Sequence, residues 1–148
     1  MVHIYEFEFV EDGGWYLAFP FDMEGGTQGV DLAEASEMAA EWLKSEIEWR
    51  VIHGEELPAP TFGNEPRRGG RVVLLAVEAG LETVHKVTAA EAARLLGVSP
   101  GRVTQLIDAG HLVGWREGHR TWVTVDSVEA RLAEEHRAGR PRKEAASV

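Results

Sequence analysis

The sequence predicts an α+β chain in two modules: a small antiparallel sheet with one helix packed across it, then a mainly α module of short helices and a two-stranded hairpin. Three observations carry this. Alternating apolar and polar residues near the start give way to three- and four-residue apolar steps after Asp31. Charge is divided unevenly: residues 1–80 hold 16 acidic and 5 basic side chains, residues 81–148 hold 9 and 10. Helix-start and helix-stop signals recur at short intervals from Thr88 onward. The expected boundaries are a first module over 1–78, a linker over 79–86, a second module over 87–135 and a basic, disordered tail over 136–148.

Composition narrows the classes. The 148 residues carry a formal net charge of −10 and no cysteine. Disulfide scaffolds, thiol nucleophiles and thiolate zinc sites are therefore excluded. No apolar run approaches the roughly 20 residues that span a bilayer, and the start, MVHIYEFEFVED, is not a signal peptide. A cytoplasmic protein with no membrane partner is expected.

In the first module His3, Tyr5, Phe7 and Phe9 alternate with Ile4, Glu6 and Glu8, the period of a strand with one aromatic and one acidic face. The acidic face is expected to be solvated. Asp12-Gly13-Gly14 reads as a hairpin turn and Trp15 to Phe21 as the returning strand, which Pro20 should end. Gly25-Gly26 makes a further turn before a short strand around Thr27-Gln28-Gly29. Asp31 and Glu34 have capping-box spacing and open a helix. Leu32, Ala35, Ala39, Leu43 and Ile47 form its apolar stripe, and Gly54 ends it. Trp42 and Trp49, beside the stripe, suit a core or a partner interface. Leu57 to Gly70 reads as a loose stretch. Arg71 to Glu78 (RVVLLAVE) reads as a strand buried on both faces.

These residues resemble the N-terminal domain of HicB-type antitoxins. Asp12-Gly13-Gly14-Trp15-Tyr16, Phe19-Pro20, Thr27-Gln28-Gly29 and Asp31 to Ala35 follow that family's order of D-G-G-aromatic hairpin, F-P step, T-x-G turn and E-A helix. The resemblance covers about residues 3–78. The chain departs from the pattern at Phe21 to Gly25, where the family has an aspartate and a proline-glycine pair, and at Asp31, where threonine is usual. The resemblance implies a trimmed ribonuclease-H-type sheet without a nuclease site. It also implies that the domain masks a small basic RNase toxin, HicA-like, by direct contact. The acidic balance of residues 1–80 fits a basic partner.

In the second module Thr88 to Glu91 has capping-box spacing and opens a short helix through Leu96. Gly97 makes a tight turn, Ser99 caps a second helix with Pro100 at its first position, and Gly110 ends it. Ala93, Leu96, Val98, Val103 and Leu106 supply the apolar skeleton. The spacing resembles a helix-turn-helix of the MerR/excisionase type. His111 to Arg116 and Arg120 to Val125 flank the turn Glu117-Gly118-His119 as a wing, and Asp126 with Glu129 opens a last helix through about Glu135.

Recognition-helix contacts come from outward residues near its start, which here are Ser99, Pro100, Gly101, Arg102, Thr104 and Gln105. Arg102 suits a bidentate pair with guanine and Gln105 one with adenine. Ser99 and the helix N-terminus suit a phosphate. Arg116, His119 and Arg120 surround the wing tip and suit phosphate or the minor groove. Trp115 and Trp122 are expected to brace the wing. Arg137, Arg140, Arg142 and Lys143 suit non-specific phosphate attraction.

Nothing in the sequence points to catalysis or a cofactor. None of the six histidines makes a helical metal pair, and there is no G-x-S-x-G motif or P-loop. The expectation is a non-enzymatic antitoxin that masks its toxin, binds operator DNA to repress its own operon, and works as a homodimer or higher homo-oligomer. Two alternatives stay open: a plain DNA-binding regulator whose first module only oligomerises or senses a ligand, and an excisionase-like factor that bends DNA.

Overall fold

A computed structural model describes residues 1–146, with side chains through residue 138. The chain divides into two compact units, Met1–Val84 and His85–Val148.

The first unit is a four-stranded antiparallel sheet with one helix on it. Strand β1 (Val2–Asp12) turns at Gly13-Gly14 into β2 (Trp15–Pro20). Both glycines have positive φ, 59° and 84°, as a two-residue hairpin turn requires. A short β3 (Thr27–Gly29) precedes helix α1 (Leu32–Ile52), and β4 (Arg71–Glu78) completes the order β3-β2-β1-β4. Asp31 caps α1 by accepting from the Glu34 amide at 2.7 Å, and the Glu34 carboxylate accepts in return from the Val30 amide. Ala35, Ala39, Leu43 and Ile47 are fully buried against Tyr5, Phe7 and Phe9. Leu32, expected in the same stripe, is exposed, because it stands in the first turn, ahead of the residues that pack on the sheet. Trp42 packs edge-on to Phe7 with ring centroids 6.0 Å apart, whereas Trp49 is exposed and stacks on His53.

Two expectations for this unit fail. Glu6 and Glu8 are not a solvated face: they are 6% and 2% exposed. The segment from Thr61 to Gly70 is a strap across the outer face of the sheet, tied down by these two carboxylates. Glu6 accepts from the amides of Gly63 and Asn64 and from the Asn64 side chain, at 2.8–3.2 Å. Glu8 accepts from the amides of Arg67, Arg68 and Gly70, at 2.8–2.9 Å. Arg68 lies 3.9 Å from the centroid of Phe19 and Arg67 lies 5.0 Å from that of Phe21. At the other anchor, Asp22 accepts from the Thr61 amide and hydroxyl, and the Tyr5 hydroxyl donates to the Pro58 carbonyl at 2.6 Å.

The carboxylates are stable as anions for a definite reason. The Asn64 amide outweighs desolvation at Glu6, with the Asn64 side chain and the Gly63 amide helping, and holds its pKa below the ordinary value. At Glu8 burial pushes the pKa up, but the three amides and the Arg68 guanidinium push harder, so it too is lowered.

The second failed expectation is β4. It is an edge strand with only Val77 buried inside it, and Leu74 is 57% exposed. Its apolar run marks one face toward α1 and one face left bare, not a strand enclosed on both sides.

The second unit holds β5 (Lys86–Thr88), α2 (Ala89–Leu96), α3 (Pro100–Asp108), β6 (Gly114–Glu117), β7 (Arg120–Thr124) and α4 (Val125–Ala146). The wing is a three-stranded sheet in the order β5-β7-β6, because residues expected to begin the helical module pair with β7 as a third strand. Ala92, Ala93, Leu96, Val103, Leu106, Leu112, Val123 and Val128 form the core. Thr124 caps α4, its hydroxyl accepting from the Ser127 amide at 3.2 Å, so Asp126 sits inside the first turn and is not the cap. The helix also runs to Ala146 and does not stop near Glu135, since Ala133, Glu134 and Glu135 are strong helix formers.

Candidate nucleic-acid interface

The interface is built by local signals. Thr88 caps α2 by accepting from the Glu91 amide at 3.2 Å. At its end Gly97 adopts φ 68°, the left-handed region where a Cβ is costly, and the Val98 amide donates back to the Ala93 carbonyl at 3.0 Å. The chain thereby reverses within three residues. Ser99 restarts it by accepting from the Arg102 amide at 3.1 Å, with Pro100 at the first helical position.

Helical period does the rest. Val103 and Leu106 turn into the core, which leaves Ser99, Pro100, Gly101, Arg102, Thr104 and Gln105 exposed together on the first turns of α3. The Arg102 guanidinium donates to the Gln105 side-chain carbonyl at 3.3 Å, so the two polar side chains form one donor–acceptor surface. The Thr104 hydroxyl donates to the Pro100 carbonyl at 3.4 Å. The Ser99 hydroxyl is already engaged as a cap, so its second role would be additional to that bond.

On the wing Arg116 faces Thr121 and Glu117 faces Arg120 across β6 and β7, with Gly118 at φ 63° in the turn. Arg116, His119 and Arg120 are all exposed. Trp115 and Trp122 are directly opposed and half-buried. The Trp122 ring nitrogen donates to the Glu117 carboxylate at 3.0 Å, while Lys86 and Arg120 lie 5.2 Å and 5.7 Å from its ring centroid. Lys86 was not anticipated at the wing, since only the pairing of β5 with β7 brings it there. Arg137 is exposed on α4; the side chains of Arg140, Arg142 and Lys143 lie outside the described residues.

Two short helices joined by a glycine turn, with an exposed polar start on the second and a wing behind it, define a helix-turn-helix protein. Residues 87–136 match the family model described as a helix-turn-helix domain. Over 107 residues the chain is 33% identical to Antitoxin HicB 1 of Photorhabdus laumondii, an alignment covering 69% of this chain and 67% of that one. The chain belongs to the HicB antitoxin family. A chain of a toxin–antitoxin complex from Streptococcus pneumoniae is 19% identical with a TM-score of 0.48, over 74% of this chain and 99% of that one.

Proposed function

We propose that the chain is an antitoxin that masks a small basic RNase toxin of the HicA kind with its first unit and represses its own operon through its second. In this reading it acts in the cytoplasm, as a homodimer or higher homo-oligomer, with no cofactor and no catalytic step of its own. The domain limits that go with the reading are 1–78 for toxin binding, 79–86 for the connector and 87–135 for DNA.

The observation that carries the masking half is the outer face of α1. Glu34, Glu37 and Glu41 stand exposed there with Met38 and Trp49 between and beyond them. Carboxylates steer a basic partner into place, and the apolar side chains give it something to bury. The repression half rests on the clustered exposed residues of α3. One short recognition helix offers limited contact, so paired half-sites about one DNA turn apart, or a multiple of it, follow from a two-fold assembly.

The test is recovery of the tagged chain from its host after nuclease treatment, with bound proteins identified by mass spectrometry. A stoichiometric small basic protein, lost when Met38 and Trp49 are both changed to glutamate, is the expected result. Recovery of the chain with only itself, under conditions that preserve complexes, refutes toxin masking.

A further inference from the structure

The strap covers only part of the outer sheet face. Beyond it, Val2 and Ile4 on β1 and Leu74 on β4 remain exposed, at 57%, 42% and 57%. The strand register places Leu74 beside Glu6 and Ala76 beside Ile4, so these apolar residues form one patch that ends at the free edge of the sheet. The edge itself is unusual. β4 is eight residues long, has a strand neighbour on one side only, and runs Val72 to Val77 without a charge or a proline. Edge strands that stay alone are normally short or carry charges that block pairing. The opposite edge, β3, is only three residues long.

We propose that two copies of the chain pair antiparallel along β4, joining their sheets into one. The inference deepens the oligomeric part of the function proposed above and is independent of the toxin. Three features select a second copy as the occupant. The strand carries Arg71 at one end and Glu78 at the other, and antiparallel pairing sets each Arg71 end beside the partner's Glu78 end. The strand has no net charge, although residues 1–80 hold 16 acidic against 5 basic side chains, so two copies meet where their mutual repulsion is weakest. A two-fold axis normal to the sheet pairs only residues that share a face. It sets outer Leu74 against Leu74 or Ala76 of the second copy and makes the two bare patches continuous. A basic partner finds almost nothing to recognise on this edge.

The absence of cysteine makes the test direct. In the full-length chain, Leu74→Cys is treated with a short thiol-to-thiol crosslinker, alongside Ser45→Cys on the exposed side of α1. Rapid covalent dimer for Leu74→Cys alone is expected. In parallel, Leu74→Lys should weaken self-association at least tenfold by analytical ultracentrifugation while keeping its circular dichroism spectrum. Equal crosslinking of the two cysteine variants overturns the proposal. So does unchanged self-association of a folded Leu74→Lys variant. If that variant still self-associates but loses a co-purifying basic protein, the edge belongs to the partner and the proposal is again wrong. Should no toxin be found while Leu74→Cys still crosslinks, the pairing stands and only the masking reading falls.

Discussion

Replacing Glu8 by alanine removes one carboxylate and orphans three amides, those of Arg67, Arg68 and Gly70. A hydrogen bond to a charged group contributes about 1.5–3 kcal/mol net, so three such bonds set a ceiling of roughly 4–9 kcal/mol. The strap is at the surface and its freed amides can turn to water, which recovers part of that. A net loss of about 2–4 kcal/mol is the expected result, enough to lower the melting temperature of an 84-residue unit by about 10–20 °C. Because the chain has two units, a single global transition is the wrong readout. Amide hydrogen exchange reads the strap itself: protection at Arg67, Arg68 and Gly70 should vanish in Glu8→Ala while that of α1 persists under native conditions. Glu11→Ala, at the exposed end of β1, is the control and should change stability by less than about 0.5 kcal/mol. If Glu8→Ala behaves like Glu11→Ala and the three amides stay protected, the carboxylate does not hold the strap.

Four further outcomes follow from the same structure. Glu6 and Glu8 have lowered folded-state pKa values, so the stability they supply is complete above the ordinary carboxylate pKa of the unfolded chain and is lost as pH falls through the lowered values. An acid titration of strap amide exchange should therefore show opening on the acid side of that range, and opening on the alkaline side contradicts the assignment. Gly29→Ala should destabilise the first unit by about 1–3 kcal/mol in urea melts, because its Cβ would meet the Ala35 backbone nitrogen at the start of α1. Leu43→Ala should cost about 2–5 kcal/mol through the cavity it leaves between α1 and the sheet. Arg102→Ala should relax operator preference at one base position, costing about 1–3 kcal/mol in gel-shift titrations at fixed salt; binding unchanged in strength and preference refutes that role.

What could be read ahead of the structure was local. Asp31 with Glu34, Thr88 with Glu91, and Ser99 with Pro100 announce their helices because a cap and the amide it serves lie within three residues. Gly13-Gly14 and Gly118 announce their hairpins for the same reason. The exposure of Arg102 and Gln105 follows from helical period alone once Val103 and Leu106 are assigned to the core. What escaped was non-local. Glu6 looks like an ordinary alternating surface residue until a segment nearly 60 positions away donates to it. β5 is three residues long and becomes a strand only through β7. RVVLLAVE carries no sign that one face of the strand is bare, since apolar composition is the same for a buried strand and for an edge that awaits a partner.

The strap also bears on synthesis. β1 is made first, yet its carboxylates find their donors only when residues 63–70 have left the ribosome, and its β4 neighbour only after residue 78. Until then Glu6 and Glu8 keep their water and the central strand of the sheet has no stable place. The first unit therefore matures in one late step, and a nascent chain cut short before residue 70 contributes no partly formed domain.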